Sequence, residues 1–255
     1  MPLDPQNPYA TPTAALDERV DQNQALSIEA ALARGYDFNI GDILSEAWNR
    51  ISGVKGILVV GFIIYMAVVQ GLSFLLGAIL GFGAVMTSGQ GTGMLMVVMQ
   101  LVIGVLVAGV GYPFLAGINM IGIRRAADQP VSINEMFSHF GLFVPLFLTG
   151  LLMTVLVYLG LILLIIPGIY LSIAYSLAIP LAVERKLSPW QALEASRKAV
   201  TQRWFKIFGL YFMLGLLFLV ASIPLGIGLI WVGPMIVVAV GILYRTIFGV
   251  LPAGN

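Results

Sequence analysis

Apolar and polar positions alternate along this chain on a long scale. Six stretches are almost free of charge: Val54–Phe82, Met94–Ile123, Phe140–Ile166, Gly168–Val183, Trp204–Ile223 and Leu225–Tyr244. A helix crosses about 30 Å of hydrocarbon with about twenty apolar residues. The first two stretches are longer than that and are expected to tilt, bend or project beyond the bilayer. Taken as one helix, Leu142–Val183 would be about 60 Å long, twice the membrane. The pair Pro167-Gly168 inside it is therefore expected to form a tight turn, since proline cannot continue a helix and glycine takes positive φ readily. The pattern predicts an all-α integral membrane bundle of six transmembrane helices in three hairpins.

Shorter amphipathic stretches lie between the spans. Ser132-Ile133-Asn134-Glu135 and Ser188-Pro189-Trp190-Gln191 both read as capping boxes, a serine N-cap with Glu or Gln three residues on. Each leads into a pair of spans whose turn contains Ile-Pro. Serines 132 and 188 lie 56 residues apart, and prolines 167 and 224 lie 57 apart. A looser copy begins at Asn39, where Ile40, Ile43, Leu44, Ala47, Trp48 and Ile51 follow helical spacing. The expected unit is an interfacial helix followed by a hairpin, three times over, with Trp48, Phe137 and Trp190 at the headgroup level.

Charge adds an orientation. Gly83–Gly93, Pro167-Gly168 and the turn around Pro224 hold no Lys, Arg, Asp or Glu. The other connections carry Arg50, Lys55, Arg124, Arg125, Arg185, Lys186, Arg197, Lys198, Arg203, Lys206 and Arg245. The positive-inside rule then puts both termini in the cytoplasm. The composition agrees with a membrane protein: 59% of residues are hydrophobic and 10% charged, against roughly a quarter charged in soluble domains. Residues 1–37 form a separate acidic segment, read as a largely disordered cytoplasmic tail before the membrane domain of residues 38–255. Its start has early Asp and Pro and no short apolar core, unlike a cleaved signal peptide. Ser27 and Gly35 bracket a short helix within it. The segment Asn7-Pro8-Tyr9-Ala10-Thr11-Pro12 resembles the NPYxxP tails of many small bacterial multipass proteins. It reads either as solvated chain or as a docking motif for a protein partner.

The run Pro167-Gly168-Ile169-Tyr170-Leu171, with Tyr175, Ala178-Ile179-Pro180-Leu181, Val183-Glu184, Ala192-Leu193, Ser196 and Trp204, resembles a family pattern. It is that of the membrane domain attached to some bacterial glycerophosphoryl diester phosphodiesterases, and of its stand-alone inner-membrane relatives. The resemblance covers roughly residues 38–250. It implies a six-helix protein of the bacterial inner membrane. It does not imply phosphodiesterase activity, because the catalytic domain of those fusions has no counterpart in this sequence.

Candidate chemistry is sparse. The chain has no cysteine and one histidine, His139, so neither thiolate nor multi-histidine metal chemistry is expected, and no cofactor is implied. Glu184 closes a span beside Arg185 and Lys186 and reads as a structural ion pair. Gln70, Gln100 and Asn119 are amides within spans, suited to interhelical hydrogen bonds. The loop SGQGTG at 88–93 lacks the Lys-Ser/Thr of a phosphate-binding loop and reads as a connection. Pro113, Pro180 and Pro234 sit inside spans and would free the carbonyls of Gly109, Ser176 and Ile230. With Pro167, Gly168, Tyr112, Tyr170 and Tyr175 they mark either kinked, packed helices or a cavity for an amphiphile. Ala174, Ala178 and Ala182, and Gly77 with Gly81, are small-residue stripes for helix packing. Arg185, Lys186, Arg197, Lys198, Arg203 and Lys206, interleaved with Trp190 and Trp204, are candidate contacts for anionic lipid headgroups; the same charges also serve as a topology signal. Glu184 and Glu194 dilute the patch for nucleic acid.

Three readings follow. The first is a non-enzymatic scaffold or adaptor on envelope lipids, working through its cytoplasmic face and free to self-associate. The second is a conduit or carrier for a lipid-like or small apolar molecule. The third, an intramembrane enzyme, has no nucleophile–base pair or metal cluster to rest on.

Overall fold

The computed structural model describes residues 25–86 and 92–252. The Asn7–Pro12 segment and most of the 88–93 loop lie outside them. Among the described residues the fold is helical, with no strand and with six helical stretches long and apolar enough to cross a membrane. The helices are α1 (Ile28–Arg34), α2 (Ile40–Arg50), α3 (Lys55–Met86), α4 (Thr92–Ala126), α5 (Phe143–Leu163), α6 (Ile165–Ala174), α7 (Ala178–Glu184), α8 (Pro189–Thr201), α9 (Trp204–Ser222) and α10 (Leu229–Phe248).

Helix α1 begins where Ser27 Oγ accepts from Ala30 N–H and ends at Gly35, whose φ of 66° is open to glycine. The sequence assigns residues 1–37 to the tail; in the structure residues 25–37 are folded onto the body. Leu26 N–H donates to the Phe248 carbonyl, Arg34 donates to the carbonyls of Thr246 and Ile247, and Ala31 is buried. These backbone bonds come from the far end of the chain, which local composition does not report. Helix α2 is capped by Asn39, which accepts from Gly41 N–H, and it buries Ile43 and Ala47. Trp48, Phe137 and Trp190, the aromatic residues expected at the headgroup level, are exposed.

Helices α3 and α4 have 32 and 35 residues, about 48 and 52 Å of helix. Pro113 and Pro234 are buried inside α4 and α10, which continue through them. The tightest crossing is between α4 and α10. A Cβ on Gly122 would collide with the Val237 backbone, and one on Gly241 with the Gly122 carbonyl. Such close backbone approach is what small residues permit between apolar helices.

The stretch after Ser132 departs from expectation. In place of an amphipathic α-helix it forms two 3-10 turns, Ile133–Phe137 and Phe140–Leu142. Ser132 Oγ accepts from Asn134 N–H, but Glu135 does not complete a capping box. Its carboxylate is buried and turned to Arg124, 2.8 Å away, and to His139, 3.2 Å away. A buried charge needs a charged partner more than a helix end needs a second cap. At Ser188 the pairing is present: Gln191 Oε1 accepts from both the Ser188 N–H and its hydroxyl.

The turn expected at Pro167-Gly168 lies earlier, at the single residue Leu164 (φ −158°, ψ 136°), whose N–H donates to the Gly160 carbonyl. Pro167 and Gly168 belong to the first turn of α6. Proline is tolerated there because first-turn N–H groups have no helical partner. Gly168 is needed because a Cβ would collide with Leu161 as α6 folds back against α5. The next departure is at Pro180. It does not kink a continuous helix; the helix stops at Ala174 and restarts at Ala178, with Pro180 in the first turn of α7.

Candidate lipid-binding groove

The break between α6 and α7 is closed from outside. The Ser196 hydroxyl on α8 donates to the Ala174 carbonyl (2.7 Å) and accepts from Leu177 N–H (3.2 Å), fully buried. This bond holds α8 along the α6–α7 strip, with Leu193 packed on Tyr175 and Ala178. Farther along, Thr201 donates to the Arg197 carbonyl and so accepts from the Tyr170 hydroxyl, 2.7 Å away. Trp204, the first residue of α9, donates its indole N–H to the Tyr170 carbonyl at 3.3 Å.

Past this latch α6 and α9 separate, and a groove of about 730 Å³ opens between them. Its walls are apolar: Ile166 and Ile169 from α6, and Trp204, Phe205 and Phe208 from α9. Trp204 and Phe208 lie stacked one helical turn apart, their centroids separated by 5.1 Å. Arg203 and Lys206 stand at the rim. They share one carboxylate: Asp37 is 2.5 Å from Lys206 and 3.7 Å from Arg203. The hydrogen bond from the Lys206 ammonium holds the Asp37 carboxyl below its ordinary range, so it is charged at neutral pH. Two cations against one anion leave the rim with one net positive charge beside an apolar, aromatic cleft.

The other expected cations are placed differently. Arg185 is spent on structure: it pairs with Glu184 at 3.1 Å and donates to the carbonyls of Leu26, Phe248 and Gly249. Glu184 also accepts from the Tyr244 hydroxyl and from Leu251 N–H, as a structural ion pair would. Arg197 and Lys198 share Glu194 on the surface of α8, and the Arg197 hydrogen bond lowers the Glu194 pKa. Lys186 is exposed and has no ion pair among the described residues.

The tyrosine and proline set also divides. Tyr170 lines the groove. Tyr112 packs its ring on Gly150 and bonds Thr154 at 3.1 Å, and Tyr175 is buried in the α5–α8 contact. Pro113, Pro180 and Pro234 are buried in helix packing. Ala174, Ala178 and Ala182 are buried as a packing stripe, whereas Gly77 has open space around it. Phe205, Phe208, Thr201 and Asp37 were missed by sequence reasoning. Trp204, Phe208 and Phe212 at four-residue spacing was the available signal; the partnership of Asp37 with Lys206 spans 169 positions and had none.

Among the described residues no three of His, Asp and Glu gather as metal ligands. No protein-family model matches the chain, and no solved structure matches it. Over 182 residues it is 30% identical to an uncharacterised protein of Mycobacterium bovis and to one of Mycobacterium tuberculosis, covering 64% of this chain and 54% of each relative. Another Mycobacterium tuberculosis sequence is 29% identical over the same length. The chain thus spans about half the length, 54%, of the curated relatives it matches.

Proposed function

We propose that this chain is a multipass protein of the bacterial cytoplasmic membrane, both termini inside, that holds an anionic glycerophospholipid between α6 and α9. In this reading it is a lipid-associated scaffold with no chemistry of its own. The observation that carries it is the union of an apolar cleft with a rim of two cations and one carboxylate. Acyl chains suit the Ile166, Ile169, Phe205 and Phe208 walls, and a phosphate suits Arg203 and Lys206, each near-surface cation adding about 1 kcal/mol toward anionic lipid. A cavity of about 730 Å³ lies within the usual range for small-molecule sites. The orientation rests on the one-sided placement of Arg and Lys, and the Pro167–Trp204 pattern supports kinship with the membrane domain it resembles.

The conduit reading draws on freed backbone groups in broken helices. At the break in the fourth apolar stretch the Ala174 carbonyl and the Leu177 N–H are taken by Ser196, which favours holding a lipid over passing one. Native mass spectrometry of the protein from bilayers containing phosphatidylglycerol and cardiolipin tests the proposal. Arg203→Gln with Lys206→Gln should strip bound anionic lipid, whereas Arg197→Gln with Lys198→Gln should leave most of it. Equal retention by both double variants would refute the groove as the site.

A further inference from the structure

The tip joining α5 to α6 is unlike an end that emerges into water. From Leu159 to Ile169 there is no polar side chain. Ile162, Leu163, Leu164, Ile165 and Ile166 are five consecutive large apolar residues, each at least 68% exposed. Contiguous exposed apolar surface of this kind marks a partner or a membrane.

Its reach can be bounded. Tyr170 touches the first residue of α9 through the 3.3 Å bond from Trp204. Tyr170 lies only six residue steps beyond the turn at Leu164, about 9 Å of helical rise. Helix α9 has 19 residues, about 28 Å. Even with the added reach of the indole, about 6 Å, the tip rises only about half the length of α9. We infer that the α5–α6 hairpin is re-entrant: its tip ends inside the hydrocarbon and packs on acyl chains, while α9 and α10 cross fully. The inference rests on the proposed membrane crossing of α9.

A backbone turn in hydrocarbon is costly unless its polar groups are satisfied. At this turn the Leu164 N–H is bonded to the Gly160 carbonyl and Pro167 brings no N–H to satisfy, while Gly160 packs against the backbone of Pro167 and Gly168. The groove then opens in the same leaflet as the tip, walled on one side by Ile166.

The test uses the cysteine-free full chain in phosphatidylcholine–phosphatidylglycerol bilayers. Single nitroxide-labelled cysteines replace Phe205, Leu164 and Leu225, at the start of α9, the tip and the α9–α10 turn. Leu164 and Leu225 are at least 68% exposed, so the label leaves the packing intact there; Phe205, 83% exposed and a wall of the groove, serves only as a depth marker. Collision with oxygen relative to a water-soluble nickel chelate reads depth. The expected result is a deep label at Leu164 and shallow labels at Phe205 and Leu225. A shallow label at all three positions would mean a full-length hairpin and overturn the inference. A deep label at Leu225 would withdraw α9 as a crossing, and the inference with it.

Discussion

At the scale of single residues, one hydroxyl bridges the break between α6 and α7. Ser196 bridges Ala174 and Leu177, so Ser196→Ala removes two buried hydrogen bonds at once. An unsatisfied buried group costs about 1–3 kcal/mol. The variant should lose about that much stability in detergent unfolding, with faster hydrogen exchange at Leu177 N–H; unchanged exchange there would deny Ser196 this role. Sequence reading placed Ser196 in a motif but could not see its partners, 19 and 22 positions away. Glycines teach the same point. Spacing singled out Gly77, which faces open space, and passed over Gly122, whose missing Cβ lets α4 meet α10. Gly122→Ala should therefore cost about 1–3 kcal/mol or more by overpacking. Gly71→Ala, with nothing near its added methyl, should be neutral or slightly stabilising.

At the scale of elements, the apolar stretches were legible because hydrophobic length is a sum over many residues. The turn between α5 and α6 was not, because Pro-Gly reads equally as a turn or as a first helical turn in close contact. The two meanings predict different mutants. With the turn at Leu164, Pro167→Ala should shift the unfolding midpoint little, while Gly168→Ala should destabilise by about 1–3 kcal/mol, because its methyl strikes Leu161. Comparable losses from both substitutions would return the turn to the Pro-Gly pair. The half-formed cap at Ser132 has a similar origin: the motif S-x-x-E is local, whereas the claim of Arg124 on Glu135 is tertiary.

At the scale of the whole molecule, the groove unites residues that sequence reading kept apart, since Tyr170 belonged to one set and Arg203 and Lys206 to another. What joins them is the return of the N-terminal segment, which delivers Asp37 to the rim. That carboxylate neutralises part of the charge a lipid phosphate would meet, so under the proposed function it would act as a competitor. Asp37→Asn should raise retention of phosphatidylglycerol roughly fivefold at neutral pH and low salt, the worth of one near-surface cation, and the gain should shrink as salt screens the rim. Acid gives an internal control. Because its pKa is lowered in the folded protein, the Asp37 pairing is present above the ordinary carboxylate range and is lost as pH falls through the lowered value. Only once the pH has fallen below that lowered value, beneath the ordinary carboxylate range, should the wild type converge on Asp37→Asn in lipid retention. Retention that is unmoved by Asp37→Asn at every pH would show that the phosphate is held elsewhere, and that Asp37 merely fastens the N-terminal segment to α9.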